Sequence, residues 1–166
     1  MSETRYRKVA TGGTFDQLHA GHRRLLERSF ELGAEVVIGL TSDEFARKEG
    51  KVPERPYEQR EAELEAYIRE TFPGRRYSIA KLEDFFGPGI ASREVQALVA
   101  SPETGKRVEL ANSLRAKRGF PSLELVVVDW VMAEDGRPIS STRIKKGEID
   151  GEGRLVERRR PGRSTR

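Results

Sequence analysis

The sequence predicts an α/β fold: a doubly wound parallel sheet of five strands with flanking helices, in a single domain. Three observations predict it. Short β-rich runs alternate with stretches of helical spacing along the chain. The run AEVVIGLTS at 34–42 is almost continuously apolar, as in a parallel strand covered on both faces. A chain of 166 residues, 36% hydrophobic and 35% charged, is long enough for one core, and no repeat or linker divides it.

Residues 6–11 (YRKVAT) are the first expected strand. Residues 21–32 (GHRRLLERSFEL) set Leu25, Leu26, Phe30 and Leu32 at near-helical spacing, and Gly33 is expected to stop that helix. The second strand is 34–42. A short helix and a charged loop ending in KVPERP occupy 43–55. A charged amphipathic helix covers 57–71, closed by Pro73-Gly74. RYSIAKL (76–82) is the third strand, and EDFFGPGIA (83–91) is turn-rich. VQALVAS (95–101) is the fourth, followed by a helix over 103–118 that Gly119 ends. LELVVVDWVM (123–132) is the fifth and strongest strand. After a DGRP turn, ISSTRIKKGEI (139–149) reads as a short last helix opened by Ser140 or Ser141 as N-cap.

Composition excludes several classes. With no cysteine there are no disulfides and no thiolate metal sites. No apolar run approaches the roughly 18 residues of a membrane span, and the first residues lack the apolar stretch of a signal peptide. A cytoplasmic protein without a membrane partner is the expectation. The net charge is +4, but from Glu152 onward the chain carries six Arg and two Glu, which leaves 25 basic and 25 acidic residues before them. Residues 151–166 therefore read as a basic, flexible tail on a neutral body of residues 1–150. A neutral body argues against nucleic acid as the main ligand. Oligomeric state has no signature in the chain.

The polar motifs follow expected strands and would meet beyond the strands' carboxyl ends, at the topological switch point. Gly12-Gly13 allows a tight turn close to a phosphate, and Thr14 adds a hydroxyl. The only two histidines, His19 and His22, stand three apart at the start of a helix, on one face. Unpaired N–H groups and the helix dipole attract anions there, and two imidazoles add donors. A zinc pair or a purely structural βα turn are the alternatives, the former short of a third ligand. Neither the Rossmann G-x-G-x-x-G fingerprint nor a P-loop is present.

Gly13-Thr14-Phe15-Asp16 with His19-Ala20-Gly21-His22 resembles the G-x-T-F-D…H-x-G-H signature of the nucleotidyltransferase superfamily. Ile139-Ser140-Ser141-Thr142-Arg143-Ile144-Lys145 resembles its second signature, I-S-S-T-x-x-R/K. VVIGLTSDEFARK, PYEQR, VASPET, ELVVVDWVMAEDGRPISSTRI and KGEID between and beside them are similar to the archaeal type of phosphopantetheine adenylyltransferase, over nearly all of residues 6–150. That family implies a Rossmann-like fold and a role in coenzyme A biosynthesis. Its substrates are ATP and 4′-phosphopantetheine, and its products 3′-dephospho-coenzyme A and pyrophosphate. Cytidylyltransferases and the adenylyltransferases of nicotinamide or flavin mononucleotide share the front motif, and no motif marks the acceptor pocket.

The resemblance also implies roles. His22 would stabilise the pentavalent phosphorus and His19 would bind the α or β phosphate. Gly12, Gly13, Thr14 and Phe15 form the nucleotide turn, with the Thr14 hydroxyl on the acceptor phosphate. Ser140, Ser141 and Thr142 would cradle the β and γ phosphates, and Arg143 would clamp phosphate or pair with an acid. Lys48, with Lys51 as its rival, would bridge acceptor and ATP. Asp16 would position the motif. Ser101 and Glu103 lie at the mouth of the fourth strand, and Asn112 and Arg115 could face the site from the next helix. Mg²⁺ would arrive with ATP, held by phosphates and water, and no dedicated carboxylate cage for a metal is visible.

Overall fold

A computed structural model of the chain describes residues 4–84, 87 and 91–157. The long apolar run forms β2 (Gly33–Thr41), which lies beside the central strand β1 (Tyr6–Gly13). On the other side of β1 lies β4 (Ala97–Ala100), and β3 (Arg76–Leu82) and β5 (Glu124–Val127) form the edges. All four pairings are parallel, in the order β3-β2-β1-β4-β5. The winding reverses between β1 and β4, so the switch point lies at the end of β1.

Six helices connect or follow the strands among the described residues: α1 (Ala20–Leu32), α2 (Asp43–Lys48), α3 (Tyr57–Thr71), α4 (Pro102–Gly105), α5 (Val108–Lys117) and α6 (Ser141–Lys145). Strand alternation sends Val9, Val36, Ile38, Leu40, Ala97 and Val99 to one face, against Leu26 and Phe30 of α1 and Leu64 and Ile68 of α3. Ala10, Val37 and Leu98 face the other way, against Val108, Ala111 and Leu114 of α5. Full burial of a side chain such as Leu64 or Ile68 stabilises by about 2 kcal/mol. A third cluster of Ala133, Ile139 and Ile149 seats the C-terminal part against Ala20 at the start of α1.

Several boundaries differ from expectation, each for a packing reason. Ser101 leaves the fourth strand to cap α4, its side chain accepting the Thr104 N–H. With β4 ending at Ala100, the ladder of β5 closes with the Val128 N–H on Ala100 O, so the expected strand over 123–132 is four residues long. As an edge strand it leaves Leu125 and Val127 37% and 47% exposed, although its sequence is the most strand-like of the chain. The helix expected over 103–118 is split at Arg107, and Gly119 follows the cap of α5 at φ +73°, as a left-handed terminator should. Gly33 works differently: it is extended (φ −110°) and opens β2, and a Cβ there would stand 2.6 Å from Val9 Cγ2. Its reason is close approach across the sheet. The last helix is short, and Ser140 is its cap, accepting the Arg143 N–H.

The segment expected to be free from residue 151 returns to the body. Ala20 N–H donates to Gly151 O (2.9 Å), Glu134 N–H to Gly153 O (2.9 Å) and Val156 N–H to Glu148 O (3.1 Å). The basic residues 158–166 lie outside the described residues, as does most of the expected turn at 85–90. Among the described residues no helix is long and apolar enough to cross a membrane.

Candidate functional site

Gly12 faces Gly39 across the β1–β2 ladder, and a Cβ on Gly12 would stand 3.1 Å from Gly39 O. Past Gly13 the chain enters a turn in which Phe15, Gln17 and Leu18 have φ of +48°, +84° and +38°. Left-handed geometry at three non-glycine residues costs on the order of 1 kcal/mol or more each, so the surroundings must enforce it. Phe15 is fully buried. Ser141 Oγ donates to Asp16 O at 2.8 Å, and the buried Asp16 carboxylate accepts from Glu54 N–H (2.9 Å) and lies 3.2 Å from Lys145 Nζ. The turn buries Phe15 and leaves Gly13 and Thr14 half-buried at the strand end.

His19 is the N-cap of α1. Its Nδ1 accepts from Gly21 N–H (3.0 Å) and His22 N–H (3.3 Å), while Ala20 N–H goes to Gly151 and Arg23 N–H to His19 O. The expected row of unpaired N–H groups at this helix start is therefore already satisfied. The imidazoles are what the helix start offers a ligand. They stack at 3.7 Å between ring centres, 15° from parallel, and His22 also touches the Phe15 ring at 5.2 Å. Burial, then the Arg23 charge, lowers the His19 pKa to about 4. Burial, then the charges of His19, Lys51 and Arg23, holds His22 well below 6.5. Both rings are neutral at pH 7. Since His19 Nδ1 is an acceptor, its proton is assigned to Nε2, while His22 Nδ1 is buried without a protein partner.

Of the second motif, Ser140 caps α6, Ser141 is bonded to the front turn, and Thr142 is exposed. Arg143 is committed elsewhere. It donates to Glu148 (2.9 Å), Asp135 and Pro138 O (3.1 Å), and its side chain is only 12% exposed. The Arg143 hydrogen bond leads the causes that bring Asp135 down to about 2. Of the two expected roles, pairing with acids is the one the fold supports, because Arg143 ties the 135–138 turn to α6. The motif's last cation, Lys145, meets the front turn on Asp16 and the segment between α2 and α3 on Val52 O.

Lys48 ends α2, and Lys51 lies three residues on, both exposed. Lys51 is the one whose charge reaches His22. Ser101 caps α4 at the end of β4, with exposed Glu103 in its first turn. Arg107 pairs with Glu49 at 3.0 and 3.2 Å, linking the α4–α5 junction to the end of α2. Asn112 and Arg115 are turned away from this edge. Asn112 is paired with the backbone of Leu123, and Arg115, fully buried, donates to Ser92, Val95 and Pro121 carbonyls. Sequence reasoning missed Arg60, which is fully buried on the stripe Tyr57, Arg60, Leu64, Ile68 of α3; a cation at an apolar helical position was its signal. Among the described residues no three His, Asp or Glu are grouped to hold a metal ion. Asp16 is already engaged by Lys145 and backbone N–H groups.

Residues 10–147 match the family described as cytidylyltransferase-like. A phosphopantetheine adenylyltransferase from Methanopyrus kandleri is 47% identical over 146 residues, 88% of this chain and 92% of that one. One from Methanothermobacter thermautotrophicus is 44% identical over 154 residues, 93% of this chain and 92% of its own. Among solved structures, an Archaeoglobus fulgidus protein described as of unknown function aligns with a TM-score of 0.65 at 32% identity, covering 74% of this chain and 89% of that one.

Proposed function

Because the chain belongs to the cytidylyltransferase-like family, and within it to the archaeal phosphopantetheine adenylyltransferases, we infer that it transfers AMP from ATP to 4′-phosphopantetheine. It is a nucleotidyltransferase of coenzyme A biosynthesis. An acceptor phosphate oxygen forms a bond to the α-phosphorus as the bond to the β-phosphate oxygen breaks. The products are 3′-dephospho-coenzyme A and pyrophosphate. The nucleophile is already an anion, so the chain needs donors and cations that align two polyanions, and no general base.

In this reading the neutral His22 and His19 give N–H donors to the α and β phosphates. Hydrogen bonds to charged acceptors contribute about 1.5–3 kcal/mol each. Gly13 and Thr14 hold the α-phosphate, and Thr14 Oγ1 the acceptor. Ser140, Ser141 and Thr142 line the β and γ side, with Lys145 as the nearby cation. Lys51 bridges acceptor and ATP, with Lys48 as the alternative in the same segment. Ser101 and Glu103 border the nucleotide from β4. Mg²⁺ enters as part of the nucleotide, and the donor set here fits phosphate oxygens better than the ion itself.

Identity along almost the whole length of both chains is the observation that carries the acceptor assignment. Pyrophosphate release, measured with ATP or CTP against 4′-phosphopantetheine, nicotinamide mononucleotide, flavin mononucleotide and phosphocholine, tests it. Turnover is expected with ATP and 4′-phosphopantetheine. Turnover with CTP or another acceptor in its place would overturn the reading.

A further inference from the structure

We propose that Arg60 is a positioning residue for nucleotidyl transfer: its guanidinium pins the Thr14 carbonyl and so holds the Gly13–Thr14 turn against the phosphates. The proposal rests on the reading that this turn faces the phosphates. The β1–β2 ladder ends at Gly13 opposite Leu40. The Thr14 and Thr41 carbonyls lie just past the end of that ladder, and a buried carbonyl left unpaired costs about 1–3 kcal/mol. Arg60 Nη1 donates to both, at 2.8 Å each. Its Nε donates to Arg55 O at 3.0 Å, and its Nη2 to Asp43 Oδ1 at 2.6 Å. One planar fork therefore joins the ends of two strands, the loop before α3 and the start of α2.

The Thr14 carbonyl shares its peptide plane with the Phe15 N–H, and Phe15 is the first residue at positive φ, +48°. Fixing that plane holds the strained turn at its entrance. A lysine presents a compact ammonium on a flexible stem and lacks the planar fork that spans these acceptors. The charge itself is answered locally. Burial works to raise the Asp43 carboxyl, and the Arg60 hydrogen bond, the Tyr57 N–H and the Arg60 charge bring it below its ordinary value. Arg60 is fully buried and its work is done on backbone, so it acts on the reaction through Thr14. Displacement of a reacting group by about 1 Å costs on the order of 100-fold in rate.

Arg115 supplies the control. It is also fully buried and donates to at least three carbonyls, but from the far side of the sheet. Arg60→Lys and Arg115→Lys are compared for thermal unfolding and for kcat and KM per folded enzyme. Both variants are expected to melt earlier. Arg60→Lys is expected to lose at least tenfold in kcat with KM for ATP within about threefold, and Arg115→Lys to keep kcat within twofold. An Arg60→Lys kcat within twofold of the parent overturns the proposal, and so do equal kcat losses in both variants. The backbone amide resonances of Thr14 and Phe15 give a readout independent of turnover. They are expected to shift in Arg60→Lys and to stay in place in Arg115→Lys. Unshifted resonances overturn the proposal even if the parent transfers no nucleotide to any acceptor, an outcome that would sink the functional reading instead.

Discussion

The imidazole of His19 lies directly against the backbone of Gly21. It accepts the Gly21 N–H at 3.0 Å, and a methyl group on Gly21 would stand 2.8 Å from His19 Cε1 and 3.0 Å from Nδ1. The glycine between the two histidines is there because the first ring covers it. The order H-x-G-H thus describes a helix cap, its clearance and the ring stacked on it.

Gly21→Ala should therefore reverse the usual helix rule. In a helix interior alanine is favoured over glycine by about 1 kcal/mol. Here the methyl group displaces the cap, worth about 1 kcal/mol, and tilts the ring that supports His22. Urea unfolding should show a less stable protein and the turnover assay a lower kcat. A more stable variant with full activity would refute the cap.

Burial of the same ring, with the Arg23 charge beside it, sets an acid limit. The unfolded His19 takes a proton near pH 6.5, while the folded one resists until about 4. Below 6.5 the unfolded state binds more protons, so stability is full above pH 6.5 and falls as pH drops toward 4. For His19 alone the loss approaches about 3 kcal/mol, and His22, also depressed, acts in the same direction. The carboxylates with lowered pKa, Asp43, Glu49, Asp135 and Glu148, lose their contributions at lower pH, so the window from 6.5 to 5 reports the histidines. Melting between pH 7.5 and 5 should fall more steeply for the parent than for His19→Asn, which can keep a cap. Parallel curves would refute the assignment.

His22→Ala should lower kcat by about 100-fold or more and change ATP affinity only a few-fold, because a donor on an α-phosphate oxygen, where charge grows, would gain strength in the transition state. His22→Phe keeps an aromatic ring beside Phe15 and His19 without a donor, and should be as slow. An active His22→Phe enzyme would mean that stacking alone is what His22 provides.

Lys51→Ala should weaken turnover with limiting 4′-phosphopantetheine about tenfold, and Lys48→Ala less than twofold, because of the two lysines it is Lys51 whose charge is felt at His22. The reverse ranking in kcat/KM would return the role to Lys48.

Much of the fold was legible because it follows local periodicity. Strand and helix spacings placed every strand, and the alternation of Val9 and Ala10 between the two faces is written in the sequence. That the two motifs meet at one end of the sheet followed from their standing after strands. The edge position of β5 was not legible, because LELVVV reads the same whether one neighbour or two lie beside it. Nor was the cap, since histidine seldom serves as one and its ring orientation depends on the chain around it.

By itself, the sequence determined a doubly wound parallel sheet with two phosphate-type motifs at one end of it, because periodicity and residue order are local properties. Only the tertiary structure decided which groups in those motifs are already engaged by the protein. Arg143 is tied to Asp135 and Glu148, His19 Nδ1 to the start of α1, and Ser141 to Asp16 O. Arg60, outside both motifs, holds Thr14. Whether a donor is already satisfied depends on neighbours distant in sequence, and folding alone brings them within hydrogen-bond reach.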